Sequence, residues 1–254
     1  MNHCKIIPLL LILSPALVSA QGMKMSEKIV LSQGSRNKAL SPQEFRNKAM
    51  DIIAPKGKAQ SIHLFHADRG NRKGEFLLVT DNNNVSGGSA IADPFSSFSG
   101  ILDNAGSFST YQLIGADKFG PLPNTGILGI HYIKVRPEKA QDFEKFVTEK
   151  LHPLVGNVFP DMQMMYYKAV AGNKKADYLL IFSIASPSAR DKYWPEGKPE
   201  TDLLKDRFKQ FTALAAELEP FLIPDTYLET KSGGAAAIFE SKVWTDFIHQ
   251  SFLK

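Results

Sequence analysis

The side chains best suited to acid–base chemistry in this sequence are its histidines, which change charge near neutral pH. His131 lies in the middle of the apolar run 129–133, where a strand would place it on the same face as Ile133. A histidine on such a face suits a general base or a haem ligand, and a hydrogen-bonded core histidine is the structural alternative. We therefore take His131 as the candidate catalytic residue.

Two further histidines, His63 and His66, lie in the run 61–67, which has the pattern of a strand. A spacing of three sends the two side chains to opposite faces of a strand, so they are not expected to hold one metal ion together. Either one is a candidate ligand-binding residue. No group of His, Cys, Asp and Glu has the spacing of a zinc site, and the sequence therefore predicts no metal.

Soft and aromatic residues provide candidate walls for a ligand pocket. The run 162–167 contains three methionines and two tyrosines, and both of its faces are apolar or amphipathic. Tyr132, Met164 and Tyr166 are predicted to line a pocket for a small apolar molecule, and plain core packing is the alternative. Trp194, in a loop before a helical pattern, is predicted either to cover that pocket or to anchor the loop.

The first twenty residues, 1–20, have the pattern of a signal peptide. Lys5 precedes an apolar run at 6–13, and the small residues at 18–20 match a cleavage site, so the mature chain is expected to begin at Gln21. The apolar run is much shorter than the roughly 20 residues that span a bilayer. We therefore expect an exported protein, periplasmic or extracellular, with no stable membrane insertion after cleavage.

The cysteine and charge content predicts neither a disulfide-stabilised protein nor a nucleic-acid-binding protein. Cys4 is the only cysteine, and cleavage would remove it, so the mature protein is expected to have no internal disulfide. A chain of this length can bury a sufficient core without one. The net charge is +4, with basic residues scattered among acidic ones. Because no run of Lys and Arg has the length of a nucleic-acid patch, no nucleic-acid partner is expected.

Two segments of the chain are similar to each other. Residues 70–79 (GNRKGEFLLV) and 172–181 (GNKKADYLLI) are identical at five of ten positions, and the other five are close in chemistry. This similarity indicates an internal repeat. We place the first repeat at 21–122 and the second at 123–232, followed by a C-terminal amphipathic segment at 233–254 that is expected to pack back on the fold.

Each repeat has the pattern strand, helix, strand, strand, helix, strand. The first helix is expected to begin at Pro42 with Ser41 as its cap, and His152 is expected at a helix end, where a cation favours the helix dipole. The second helix is clear only in the second repeat. The predicted strands are 28–33, 61–67, 75–81 and 109–115 in the first repeat and 127–135, 162–170, 177–184 and 225–230 in the second.

The βαββαβ pattern is ferredoxin-like. The stretch 129–147 (GIHYIKVRPEKAQDFEKFV) resembles the first strand and helix of antibiotic-biosynthesis-monooxygenase-like domains, which belong to the dimeric αβ-barrel superfamily. The resemblance implies an α+β fold in which two ferredoxin-like repeats pack their bare sheet faces together as an intramolecular dimeric αβ-barrel. Because such a fusion internalises the usual dimer interface, a monomer with pseudo-dimeric halves is expected.

The resemblance identifies a fold and not an activity, since its members include cofactor-free oxygenases, haem-degrading enzymes, haem-binding proteins and modules without known chemistry. Our leading interpretation is an exported barrel that encloses a small, largely apolar ligand. One alternative is a monooxygenase-like or haem-dependent oxidoreductase that uses His131 or a histidine of the first repeat. The other is a non-enzymatic interaction module that uses the aromatic C-terminal segment.

Overall fold

The computed structural model describes residues 23–53, 62–70, 72–81, 94–103, 107–116, 124–159, 162–172, 177–195, 198–199, 201–223 and 245–249. The strands are β1 (Met23–Lys24), β2 (Lys28–Ser35), β3 (Ile62–Arg69), β4 (Glu75–Asp81), β5 (Phe108–Ala116), β6 (Asn124–Thr125), β7 (Ile127–Ile133), β8 (Met162–Gly172), β9 (Tyr178–Ile184) and β10 (Thr245–His249). The helices are α1 (Pro42–Ile53), α2 (Ala140–Phe146), α3 (His152–Val158), α4 (Pro187–Asp191) and α5 (Asp202–Leu218).

Eight antiparallel strands close into a barrel in the order β10-β3-β4-β2-β5-β8-β9-β7, with β7 pairing again with β10. The fold is therefore α+β, as predicted. Seven of the eight strands lie where the sequence predicts them, to within two residues at each end. Closure matters because an open sheet would leave unpaired backbone groups along two edges.

The eighth strand is not where the sequence predicts it. Residues 225–230 lie outside the described residues, and the eighth position of the barrel is occupied by β10, which belongs to the predicted C-terminal segment. The apolar positions of that segment fit a helical spacing as well as an alternating one. Backbone pairing selects the strand over the helix, because β10 is hydrogen-bonded to β3 on one side and to β7 on the other.

The strands separate a core inside the barrel from packed layers outside it. On β7, Leu128, Ile130 and Tyr132 belong to the inner cluster, whereas Ile127 and Ile133 belong to an outer one. This alternation follows from the two-residue period of a strand. One outer cluster lies on the second half of the chain, with α2 and α5, and the other lies on the first half, with α1.

Helix α1 forms as predicted. Ser41 and Glu44 make a reciprocal cap, since Ser41 Oγ accepts from the Glu44 backbone N–H and the Glu44 carboxylate accepts from the Ser41 N–H. Phe45 and Ala49 then bury one face against the sheet. No helix within the described residues is both long and apolar enough to cross a membrane.

His152 does not lie at a helix end, in contrast to the prediction. Helix α2 runs through a π-helical turn at Val147–Leu151 directly into α3, so His152 lies inside one continuous helical segment. Its side chain is buried, and this burial lowers the pKa of His152 to about 4. The imidazole is therefore neutral at physiological pH and does not interact with a helix dipole as a cation.

A buried ion cluster joins β3, β10 and α4. The Arg190 side chain is only 3% exposed, and its guanidinium lies 3.0 Å from Asp68 and 3.3 Å from Asp246. Burial raises the pKa of Asp246 to about 6, against the opposing charge of Arg190. Since β3 and β10 are neighbours in the barrel, Arg190 links the first half of the chain to β10, the strand that closes the barrel.

Candidate functional site

A small cavity lies inside one end of the barrel, which we call the Tyr132 mouth. Its volume is about 20 Å³, enough for one water molecule and far below a typical drug-sized pocket. Two leucines supply apolar wall and the other lining residues supply hydroxyl or amide groups. The lining residues are Leu31, Gln33, Leu77, Ser107, Ser109, Tyr111 and Tyr132.

A hydrogen bond crosses the barrel at this mouth. The Tyr132 hydroxyl on β7 donates to Gln33 Oε1 on β2 over 2.5 Å. Strands β7 and β2 stand four places apart in the eight-strand order, so they are opposite walls of the barrel. Both side chains are buried, at 6% and 5% exposure. The bond therefore fixes the width of the mouth and orients polar groups towards its interior.

Two charged residues extend this contact towards the rim. Gln33 Nε2 donates to a Glu75 carboxylate oxygen over 2.5 Å, and the same oxygen lies 3.5 Å from the Arg72 guanidinium. The Arg72 guanidinium lies over the ring of Tyr132, with its Cζ atom 5.1 Å from the ring centroid, in a cation–π arrangement. The four side chains thus form a ring of contacts that shares Gln33 and Tyr132 with the lining of the cavity.

The lining groups are suited to binding rather than to proton transfer near neutral pH. Burial raises the pKa of Tyr111 to about 12, so this phenol stays neutral and available for hydrogen bonding. The remaining polar lining residues are two serines, a glutamine and a second tyrosine, which can donate or accept hydrogen bonds. The arrangement can hold one polar group of a small molecule between two leucine walls.

The structure brings only one of the predicted site residues, Tyr132, to this mouth. His63 also faces the barrel interior but lies at the opposite end, next to Val79 in the register of β3 and β4. His66 faces outward, with its ring 4.8 Å from that of Phe76. The prediction that these two histidines lie on opposite faces is confirmed, because their strand neighbours Phe65 and Leu64 belong to the inner and outer clusters respectively.

The other predicted site residues lie in the outer layer of the second half. Met164 and Tyr166 pack between the barrel and its helices, and the Tyr166 hydroxyl lies 2.9 Å from Met164 Sδ. Trp194 packs against the same layer, with its ring 5.8 Å from that of Tyr193. Its backbone carbonyl accepts a hydrogen bond from Arg69. These contacts are those of packed core and an anchored loop.

His131 lies in this outer layer as well, at 3% exposure. It shares its face with Ile127 and Ile133, and its register partner on β9 is Leu180; all three are at most 1% exposed. A haem bound to His131 would need these side chains to be displaced. The described residues around His131 therefore do not fit a haem, and no group of three or more His, Cys, Asp or Glu in the described part of the chain could hold a metal ion.

Replacement of His131 tests its role. Because the imidazole fills space in a closely packed layer, we expect His131→Ala to leave a cavity and to lower the free energy of unfolding by about 2 kcal/mol. Urea unfolding followed by circular dichroism measures this loss. An active-site role would instead leave stability nearly unchanged and abolish ligand retention or turnover.

Sequence reasoning missed most of the Tyr132 mouth. Ile29 and Leu31 form an alternating apolar pattern, which Gln33 interrupts. This polar residue on the inner face of the strand is a local signal of the site. Arg72 is followed by Lys73, and a single pair of basic residues does not by itself indicate a site. Its position over the Tyr132 ring depends on how the β3–β4 hairpin lies against β7, which no local pattern indicates.

No family model and no curated protein matches this chain. Several solved structures are similar to it. An anthrone oxidase-like protein aligns over 87% of this chain and 90% of its own, with 11% identity and a TM-score of 0.46. A monooxygenase-like protein of Fusobacterium nucleatum subsp. nucleatum aligns over 73% and 86%, with 14% identity and a TM-score of 0.44.

A heme-degrading enzyme of Listeria monocytogenes aligns over 72% of this chain and 86% of its own, with 13% identity and a TM-score of 0.35. All three structures are at most 14% identical to this chain and have TM-scores below 0.5. The function of this chain therefore has to be argued from its own residues.

Proposed function

We propose that this chain is an exported, tandemly repeated αβ-barrel protein that holds one small, largely apolar molecule with a single polar end at the Tyr132 mouth. The cavity between Leu31 and Leu77 carries the proposal, because apolar walls with a few convergent polar groups are the usual make-up of a ligand site. The polar end occupies the cavity, and the apolar body covers the Tyr132 ring where Arg72 now stacks.

The strand order supports the tandem repeat. In the first half the fourth, first, third and second strands are neighbours, as β5-β2-β4-β3, and the second half has the same order as β10-β7-β9-β8. This is the order of a ferredoxin-like unit. Closure of the two sheets within one chain supports a monomer, and the pattern of residues 1–20 supports export.

Native mass spectrometry of the exported protein tests these points together. We expect one chain that starts at Gln21 and retains a small molecule, or that takes up phenol as a probe when purified without one. Leu31→Phe places a larger side chain in the cavity and should reduce retention or phenol affinity at least tenfold. Leu128→Phe makes the same change inside the barrel away from the cavity and should retain the ligand.

Melting curves of both variants accompany this comparison. Each larger side chain overpacks the interior and is expected to lower the free energy of unfolding by about 1–3 kcal/mol. Equal loss of binding in Leu31→Phe and Leu128→Phe would show that general packing, and not the cavity, governs retention. A wild-type chain that neither carries a small molecule nor binds phenol would refute the binding function.

A further inference from the structure

The cavity at the Tyr132 mouth has no charged residue in its described lining. Leu31 and Leu77 form apolar walls, and the polar residues are one glutamine, two serines and two tyrosines. Burial raises the pKa of Tyr111 to about 12, so this phenol does not become an anion near neutral pH. An ion placed against such a lining would lose its hydration without meeting an opposite charge, which is strongly unfavourable. The lining therefore favours an uncharged group.

The charges around this cavity are already engaged within the protein. Arg72 Nη1 lies 3.5 Å from Glu75 Oε2, and the same oxygen accepts a hydrogen bond from Gln33 Nε2 over 2.5 Å. A second carboxylate, that of Asp177, acts through its charge on one of the lining tyrosines. It accepts a hydrogen bond from the Val135 backbone N–H over 3.3 Å. Arg72 and Glu75 form the rim pair, in which the two charges offset each other.

The size of the cavity indicates the same kind of group. Its volume of about 20 Å³ corresponds to one water molecule. A hydroxyl group has the size of a water molecule and, like water, both donates and accepts hydrogen bonds. A carboxylate has two oxygens and needs more room. Volume excludes the carboxylate and the absence of charge in the described lining disfavours the ammonium, so a hydroxyl group fits best.

We propose that the polar end of the ligand is a hydroxyl group, so that the site takes an alcohol or a phenol, and that the rim pair excludes acids and amines. This inference rests on the proposed function, because it concerns the molecule held at the Tyr132 mouth. The apolar body replaces the contact between Arg72 and the Tyr132 ring, and Arg72 keeps its pair with Glu75. Arg72 alone would attract an anion and Glu75 alone a cation, whereas the intact pair attracts neither.

Isothermal titration calorimetry of the purified protein with benzyl alcohol, benzoate and benzylamine at pH 7 tests the proposal. The three probes share one ring and one further carbon, and the last two are ions at this pH. We expect benzyl alcohol to bind at least tenfold more tightly than either ion. Glu75→Gln keeps an oxygen acceptor for Gln33 and should raise benzoate affinity at least fivefold. Arg72→Gln should instead raise benzylamine affinity at least fivefold. Glu217→Gln neutralises the carboxylate of an exposed ion pair on α5, and this matched control should keep the preference of the parent.

Phenol, titrated beside the three probes, separates the inference from the function on which it rests. A parent protein that binds phenol but takes benzoate or benzylamine as tightly as benzyl alcohol would overturn the inference and leave the proposed function intact. Binding of neither phenol nor any of the three probes would refute both. Circular dichroism confirms that each variant is folded. An unchanged preference in folded Glu75→Gln or folded Arg72→Gln would overturn the role of the rim pair.

Discussion

Arg190→Ala is expected to lower the free energy of unfolding by about 3–5 kcal/mol at pH 8, the largest effect of any single change proposed for this chain. The substitution leaves the carboxylates of Asp68 and Asp246 close together without the guanidinium that lies between them. Because these groups come from β3 and β10, the loss weakens the joint that closes the barrel. Denaturant unfolding followed by circular dichroism measures it.

Two comparisons distinguish the loss of the ion cluster from the loss of stability that any substitution can cause. Lys150→Ala removes an exposed ion pair with Glu217 and should cost less than about 1 kcal/mol. The pKa of Asp246 is about 6, so at pH 5 this carboxyl is mostly protonated in the parent protein and contributes less to the ion cluster. The loss in Arg190→Ala should therefore be smaller at pH 5 than at pH 8. A loss that is the same at both pH values would contradict the role assigned to Asp246.

Gly115→Ala is expected to destabilise the fold by about 3 kcal/mol because the space beside Gly115 is filled by an imidazole. A Cβ atom at this position would lie 2.0 Å from His152 Cε1. His152 is held there by the continuous helix from α2 to α3 and by the ring of Tyr166, 4.9 Å away. Neither the ring nor the strand can move without disturbing a packed layer. Thermal and urea unfolding measure the effect.

A double-mutant cycle identifies the cause. In Gly115→Ala/His152→Ala the added methyl group enters space that the imidazole has left, so the double variant should be more stable than the sum of the single losses predicts, by at least about 1 kcal/mol. Gly100→Ala is the matched control, since nothing lies within 4 Å of its added Cβ, and it should change stability by less than about 0.5 kcal/mol. Strict additivity of the two losses would rule out the clash with His152.

Several features of the fold could be predicted from the sequence because they depend on neighbouring residues. Short apolar runs predicted seven of the eight barrel strands, and the Ser41–Pro42 pair marked the start of α1. Alternation with a period of two placed His63 and His66 on opposite faces. Periods and caps are local properties of a chain, and a single sequence contains them in full.

The candidate site depended on contacts between distant parts of the chain. Tyr132 meets Gln33 across 99 positions and from the opposite wall of the barrel. The role of β10 followed from backbone pairing on both of its edges, which a short segment with mixed periodicity does not indicate. The sequence by itself determined seven of the eight barrel strands, the opposite faces of His63 and His66, and the α+β class. Only the closed barrel decided which polar side chains face one another, because closure brings together strands that are far apart in the chain.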